Sequence, residues 1–250
     1  MISKAKIKFI KSLQLKKNRE QTHLFLAEGY KLVGELLAKQ RAHTIVATHE
    51  WIENQSCVQA NEVIEVTQEE LKKVSLLQHP QQVLGVFPFF QTGNDTIDVS
   101  ALTLMLDGVQ DPGNLGTIIR IADWFGINDI FCSHETADLY NPKVVQATMG
   151  SITRVRLHYV SLVSVLKQLP EDYPIYGTLL EGNNIYDEQL STNGLIIMGN
   201  EGNGISTEIR QLVSHPLRIP NYPPDAATAE SLNVAIATAI TCAEFRRLSK

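Results

Sequence analysis

Three stretches in the C-terminal part of this 250-residue chain decide its fold: DPGNLGTIIRIADWFGI (111–127), GLIIMGNEGNGIS (194–206) and IPNYPPDAATAESLNVAIATAI (219–240). Each joins an apolar run to a turn that is rich in Gly, Asn or Pro. In 111–127 the turn opens a run with helical spacing, whereas in 194–206 an apolar strand leads into the turn. Strands that alternate with helices in this way predict a mostly parallel sheet with helices on both faces.

The same alternation predicts two domains. Residues 1–92 form a small α/β domain, 93–100 form a polar linker, and 101–250 form the larger α/β domain, which ends in a helix over Ser231–Leu248. The elements predicted in the first domain are strands His43–Thr48, Val63–Thr67 and Val83–Phe89, and helices Ala5–Leu13, Tyr30–Lys39 and Gln68–Leu77.

Charge is distributed unevenly along the chain. Residues 1–41 hold ten Lys or Arg against three Glu, whereas the remainder holds twelve against twenty-four acidic residues, for a net charge of −5. No acidic residue lies within 1–19, so the lysines of this stretch form the strongest basic cluster. Such a cluster is typical of phosphate contacts, although a solvated helix face has the same composition.

Several classes of protein are disfavoured by composition. The three cysteines, Cys57, Cys132 and Cys242, are far apart and odd in number, so neither a disulfide framework nor a CxxC metal site is expected. The seven histidines make no paired arrangement, and we expect no metal. Neither a P-loop nor a G-x-S-x-G elbow occurs. Without a membrane-spanning run or a signal peptide, a cytoplasmic protein is predicted, with no membrane partner.

The first stretch makes chemical sense as a turn that opens a helix. Asp111 begins the turn, and apolar residues from Leu115 to Phe125 then repeat at helical spacing. Asp107 and Asp111 could together hold a cation, but a strand end and a turn acid explain them more simply. Arg120 lies within this helix, where a long cation is either exposed without a role or held at a site.

The second and third stretches also carry alternative interpretations. After strand Leu195–Met198 the glycines follow the order G-x-x-G-x-G, which is not the dinucleotide fingerprint. This turn either lets a ligand approach the backbone closely or is a plain connection. In the third stretch, Ser231 is a predicted helix N-cap, a role that does not exclude a second one.

In order and spacing, the three motifs resemble those of the SpoU/TrmH family of RNA ribose 2′-O-methyltransferases, within the SPOUT superfamily. The resemblance covers residues 101–250 and implies S-adenosylmethionine as cofactor, a trefoil-knotted α/β domain and a homodimer with Arg120 reaching across. The catalytic residues it implies are Asn114, Arg120, Glu201, Ser231 and Asn233. The cofactor-binding residues it implies are Leu179, Gly199, Ile219 and Leu232.

The first domain resembles the substrate-binding domain that often precedes this catalytic domain, an α/β fold similar to ribosomal protein L30e. The stretch that carries the resemblance is KIKFIKSLQLKKNREQTHLFLAEGYKLVGELL (6–37). It implies a structured RNA ligand, with which the basic cluster agrees independently. Lys16, Lys17 and Arg19 are the predicted RNA contacts, and the two-domain arrangement favours ribosomal over transfer RNA.

The resemblance leaves some points open. A guanidinium holds its proton too tightly to be a good base, so we interpret Arg120 as an organiser that clamps a phosphate and stabilises the developing oxyanion. The loop Asn221–Glu230 is longer than is usual in the family, and its contacts are left open. The alternatives are a transfer RNA methyltransferase and an RNA-binding relative without turnover, but retention of the whole catalytic set favours the enzyme. A nicotinamide oxidoreductase would need the missing glycine fingerprint.

Overall fold

The computed structural model describes residues 2–91, 93, 95–223, 229 and 231–247. The helices in this part of the chain are α1 (Lys4–Ser12), α2 (Lys16–Thr22), α3 (Tyr30–Leu37), α4 (His49–Glu53), α5 (Gln68–Val74), α6 (Pro112–Trp124), α7 (Pro142–Ala147), α8 (Leu162–Leu166), α9 (Thr207–Arg210) and α10 (Val234–Arg247). The strands are β1 (Leu24–Glu28), β2 (Thr44–Ala47), β3 (Val63–Glu65), β4 (Val83–Pro88), β5 (Leu102–Leu106), β6 (Asp129–Cys132), β7 (Arg156–Tyr159), β8 (Ile175–Asn184), β9 (Gly194–Met198) and β10 (His215–Arg218). None of these helices is long and apolar enough to cross a bilayer.

The first of two compact units combines residues up to Gln91 with Asp138–Thr153. Its four-stranded sheet has the order β1-β4-β2-β3, in which β2 and β3 run parallel and the other neighbours run antiparallel. Side chains of α1, α5 and the sheet form its core, with Ile10, Leu71 and Leu84 fully buried. The predicted small α/β domain is confirmed. The segment Asp138–Thr153, which also belongs to this unit, contains α7, and α7 packs on β1.

Three elements of this unit escaped prediction. Helix α2 buries no apolar side chain, only Arg19, so it carries no apolar periodicity. Strand β1 is buried at every residue, and its run of apolar residues does not alternate. Helix α4 has five residues, fewer than the window over which a helical pattern can be recognised.

The second unit comprises the described residues of 92–137 and 154–250. Its six strands are all parallel, in the order β10-β8-β9-β5-β6-β7. The central strands β5 and β9 are buried at every residue, as expected of strands covered on both faces. The predicted parallel α/β fold is therefore confirmed.

The stretch predicted as a linker packs on this second unit. Ile97 contacts the core of the unit, and Asp95 Oδ1 lies 3.0 Å from Nδ1 of the buried His158. Asp129, at the start of β6, lies 2.8 Å from Nε2 of the same ring and also pairs with Arg156. Burial raises the pKa of Asp129, but the hydrogen bonds from Arg156 and His158 outweigh it, so the pKa lies below its ordinary value. These charges lie at the amino ends of β6 and β7.

The opposite, carboxyl edge of the parallel sheet positions the motifs. Because all six strands point the same way, the turns after β5, β9 and β10 emerge at one edge. Asp111 caps α6 by accepting a hydrogen bond from Asn114 N (2.8 Å), with Pro112 in the first turn. The edge therefore gathers residues that lie far apart along the chain.

Candidate active site

Three of the five predicted catalytic side chains form a continuous hydrogen-bonded chain. Asn114 Nδ2 donates to Glu201 Oε1 at 2.9 Å, and Asn233 Nδ2 donates to Asn114 Oδ1 at 2.9 Å. Asn114 lies in the first turn of α6, Glu201 in the turn after β9, and Asn233 just before α10. Glu201 and Asn233 are exposed and Asn114 is partly buried, so the carboxylate end of the chain faces solvent.

The start of α10 dictates how these side chains are oriented. Asn233 Oδ1 accepts hydrogen bonds from Ala235 N (3.0 Å) and Ile236 N (3.3 Å), so its NH₂ group must face Asn114. Asn114 must then present its oxygen to Asn233 and its NH₂ group to Glu201. Two amides of one helix terminus therefore fix a donor that points at the carboxylate.

The same geometry corrects the prediction for Ser231. Asn233, not Ser231, caps the last helix, which begins at Val234 rather than at Ser231. An amide side chain caps as well as a hydroxyl, so the pattern alone could not separate the two. Ser231 is exposed and lies two residues before this cap.

Asp107 and Asp111 have backbone partners. Asp107 Oδ2 accepts a hydrogen bond from Ser206 N at 2.7 Å, and Asp111 caps α6. The simpler interpretation of this pair as a strand end and a turn acid holds. Among the described residues, no group of three or more His, Cys, Asp or Glu could hold a metal ion.

The four predicted cofactor residues lie on β8 and on the segments beyond β9 and β10. Leu179 is partly buried against the core, Ile219 is half-buried, and Leu232 is 52% exposed. Gly199 is required by the backbone itself, since a Cβ there would lie 2.3 Å from the carbonyl carbon of Gly204. Of the loop Asn221–Glu230, residues 224–228 and 230 lie outside the described residues.

Arg120 does not join the hydrogen-bonded chain. It follows Asn114 by six residues, which on an α-helix places it about 120° away around the axis and about 9 Å further along. Its side chain is exposed and makes no ion pair with any residue that the structure describes. Four residues later on the same face, Trp124 is 85% exposed.

The predicted RNA contacts divide into two kinds. Lys16 and Lys17 are exposed on α2. Arg19 is 2% exposed, and its guanidinium donates to the carbonyls of Leu13 (2.8 Å) and Gln14 (2.7 Å) and to Asp138 Oδ2 (2.5 Å). The assignment of Arg19 to RNA is therefore corrected, because its donors are turned inward.

A parallel α/β sheet with polar side chains gathered at its carboxyl edge is typical of an enzyme, and comparisons with known proteins show which family it belongs to. The model of the SpoU rRNA Methylase family matches residues 101–243, and that of the MRM3-like substrate binding domain matches 4–85. A curated relative, the 23S rRNA (guanosine(2553)-2'-O)-methyltransferase RlmP of Bacillus subtilis, is 32% identical over 246 residues, 96% of each chain.

Solved structures agree over almost the full length. A Porphyromonas gingivalis protein of the TrmH family of RNA methyltransferases is 39% identical, with a TM-score of 0.88 and 99% of each chain covered. The AdoMet-bound rRNA methyltransferase of Sinorhizobium meliloti is 30% identical, with a TM-score of 0.84, and the match covers 99% of this chain and 97% of that one. The chain belongs to the SpoU rRNA methylase family.

Proposed function

We propose that this chain transfers the methyl group of S-adenosylmethionine to a ribose 2′-hydroxyl of 23S ribosomal RNA, on a guanosine. The observation that carries the proposal is the hydrogen-bonded chain Glu201–Asn114–Asn233 at the carboxyl edge of the parallel sheet. It lies within the region that the family model matches. The relative that acts on a guanosine of 23S rRNA supports the choice of substrate, with transfer RNA as the runner-up.

The residues at the sheet edge fit S-adenosylmethionine. The apolar side chains of Leu179, Ile219 and Leu232 would hold the adenosine, and the exposed half of Leu232 is apolar surface that such a ligand would cover. Gly199 is proposed to lie beside the cofactor at the end of β9, where the Gly204 backbone leaves no room for a side chain. When bound, the cofactor supplies a methyl group already activated by its sulfonium, so the chain needs to bind, orient and exclude water.

Glu201 and Asn114 are proposed to hold the target ribose. Glu201 Oε1 is occupied by Asn114, whereas Oε2 has no hydrogen-bond partner among the described residues and is available to a ribose hydroxyl. The first amides of α10 orient Asn233, Asn233 orients Asn114, and Asn114 in turn keeps this carboxylate in one orientation. Ser231 is proposed to contact the same reaction centre.

We propose that Arg120 enters this centre from a second subunit of a homodimer. In its own subunit it faces away from Asn114, but it shares a helix face with Trp124, which is 85% exposed. Helix α10 packs on α6 and leaves Ile236 53% exposed. A second subunit that packed on these two helices would cover both exposed apolar side chains. There Arg120 would clamp a phosphate and stabilise the developing oxyanion.

Two further parts of the proposal rest on the family and on charge. The second unit is proposed to carry the family's trefoil knot. The first unit is proposed to bind the RNA through the exposed lysines of α1 and α2, chiefly Lys16 and Lys17, because this stretch lacks acidic residues up to position 19. An enzyme with this substrate would work in the cytoplasm.

Transfer of a labelled methyl group to RNA tests the proposal. The full chain is incubated with labelled S-adenosylmethionine and with 23S, 16S or transfer RNA from a strain that lacks the gene. Label at one ribose of 23S RNA is expected. Label on transfer RNA alone would show that the substrate is transfer RNA and not 23S RNA. Cofactor binding without methyl transfer to any RNA would favour the alternative of an RNA-binding relative without turnover.

The matched variants Arg120→Lys and Arg210→Lys test the role of the arginine. Both keep the charge, but only the first removes a planar fork from the proposed site, because Arg210 pairs with Glu181 on the surface. We expect Arg120→Lys to lower turnover at saturating RNA about 10- to 100-fold. Full turnover would exclude a bidentate role.

A further inference from the structure

We infer that Asn200 is the positioning residue that fixes Glu201 against Asn114, an inference that rests on the proposed role of Glu201. Asn200 immediately precedes Glu201 in the turn after β9 and is partly buried, whereas Glu201 is exposed. The family motifs imply no role for Asn200, whose hydrogen bonds nevertheless link two turns at the sheet edge.

The side chain of Asn200 organises the turn from within. Its Oδ1 accepts hydrogen bonds from Gly202 N (2.9 Å) and Asn203 N (3.0 Å). Its backbone pairs with Gly204 in both directions, at 2.9 Å each. Glu201 therefore lies in a turn, 200–204, whose conformation is fixed by the side chain and the backbone of Asn200. An exposed glycine-rich turn would otherwise have many accessible conformations.

The other end of the same amide ties this turn to the neighbouring one. Asn200 Nδ2 donates to Gly108 O at 2.7 Å. Gly108 follows β5 with a φ of +73° and is itself held by a hydrogen bond from its N–H to Ser133 Oγ (3.0 Å). From Gly108 the chain leads in a few residues to Asp111, the cap of α6, and to Asn114. Asn200 therefore connects the turn that bears Glu201 to the turn that positions the Glu201 partner.

The side chain at position 200 must accept hydrogen bonds from the inner turn and donate one to Gly108 O, which requires an amide. Asn200→Asp keeps two acceptor oxygens for the inner turn but replaces the donor with an oxygen that faces the Gly108 carbonyl. The variant should therefore preserve the turn and break its tie to the β5 side. Asn203→Asp is the matched control, because it adds the same charge three residues away, where the side chain is exposed and makes no hydrogen bond with described residues.

Kinetics of the full chain with 23S RNA from the deletion strain test the inference. For Asn200→Asp we expect turnover at saturating RNA to fall about 10- to 100-fold, with the KM for RNA nearly unchanged, because a displacement of about 1 Å has that cost in a catalytic site. Asn203→Asp should stay near the wild type. Equal losses in the two variants would mean that added charge, not position, is responsible, and would overturn the inference.

A double-mutant cycle separates positioning from general stability. If Asn200 acts through Glu201, the substitution Asn200→Ala should lower turnover when it is made in the wild-type chain. The same substitution should cause no further loss when it is added to Glu201→Ala. Additive losses would overturn the inference while leaving the proposed function intact. Full turnover by Glu201→Ala would remove the proposed role of the carboxylate, and that of Asn200 with it.

A crystal structure of Asn200→Asp gives a readout that does not depend on activity. We expect the separation of Asn114 Nδ2 and Glu201 Oε1 to exceed hydrogen-bond distance. If these atoms remained at 2.9 Å, Asn200 would not be the positioning residue, whatever RNA the enzyme modifies.

Discussion

Mixed dimers offer a sharp test of the arrangement proposed for Arg120. Within one subunit, Arg120 follows Asn114 by six helical positions, which places it about 120° away around the axis and about 9 Å further along. The chain Glu201–Asn114–Asn233 therefore lacks its arginine unless a second subunit provides one. Arg120→Ala and Asn233→Ala should each lose about 100-fold or more in turnover, as is usual when a transition-state donor is removed.

The heterodimer of these two variants should recover activity. In a two-fold symmetric dimer, the Arg120→Ala subunit supplies an intact Asn233, and the Asn233→Ala subunit supplies an intact Arg120. One site is then complete and the other lacks both groups, so turnover per dimer should be about half that of the wild type. If Arg120 acted within its own subunit, every site would lack one group and activity would stay at the level of the single variants.

The assay uses co-expression with two different tags and tandem purification, so that each dimer holds one copy of each variant. The control pairs Arg120→Ala with the doubly substituted Arg120→Ala/Asn233→Ala chain, which can form no complete site. Recovery in the control, or its absence in the test pair, would refute the reasoning. A monomer in sedimentation at micromolar concentration would refute it directly.

Three further predictions concern the first unit. Arg19→Met should lower the free energy of unfolding by about 2–3 kcal/mol in urea titrations, because it leaves a carboxylate without its buried partner; an unchanged unfolding midpoint would contradict this. Burial raises the pKa of Glu28, so its contribution to stability is complete below the pKa of an unfolded glutamate and is lost as pH rises through the folded value. Glu28→Gln should therefore gain melting temperature relative to wild type between pH 5 and pH 8, and a constant difference would be the opposing result. Lys16→Gln with Lys17→Gln should weaken RNA binding and lower its salt dependence by about 1–2 in the slope of log K against log salt, measured by anisotropy; an unaltered slope would place the RNA elsewhere.

The parallel sheet was predictable because its central strands have a recognisable sequence pattern. Strands β5 and β9 are continuous apolar runs bounded by turn residues, which are typical of strands covered on both faces. Helix α2 was not predictable, since its buried side chain is an arginine whose partner, Asp138, is distant in sequence. No local pattern separates an arginine that binds RNA from one that satisfies two carbonyls and a carboxylate.

The candidate site was predictable in its members but not in its connections. The family motifs imply Asn114, Glu201 and Asn233 as a set, but the hydrogen bonds by which the cap of α10 orients all three form only in the folded chain. The same capping bonds decide between Ser231 and Asn233, two residues with similar propensity for the position. The role of Asn200 could not be predicted, because in the sequence it is one of several polar residues in a glycine-rich turn.

The central claim is that the chain Glu201–Asn114–Asn233 holds a ribose of 23S RNA for methylation. Its most direct test is a map of ribose methylation in total RNA from a deletion strain that carries the wild-type gene, Asn114→Asp or no gene. The account predicts one 23S position that is methylated with the wild-type gene, and lost both without the gene and with Asn114→Asp, whose carboxylate would face Glu201. Full methylation of that position by Asn114→Asp, or a map that the deletion leaves unchanged, would contradict it.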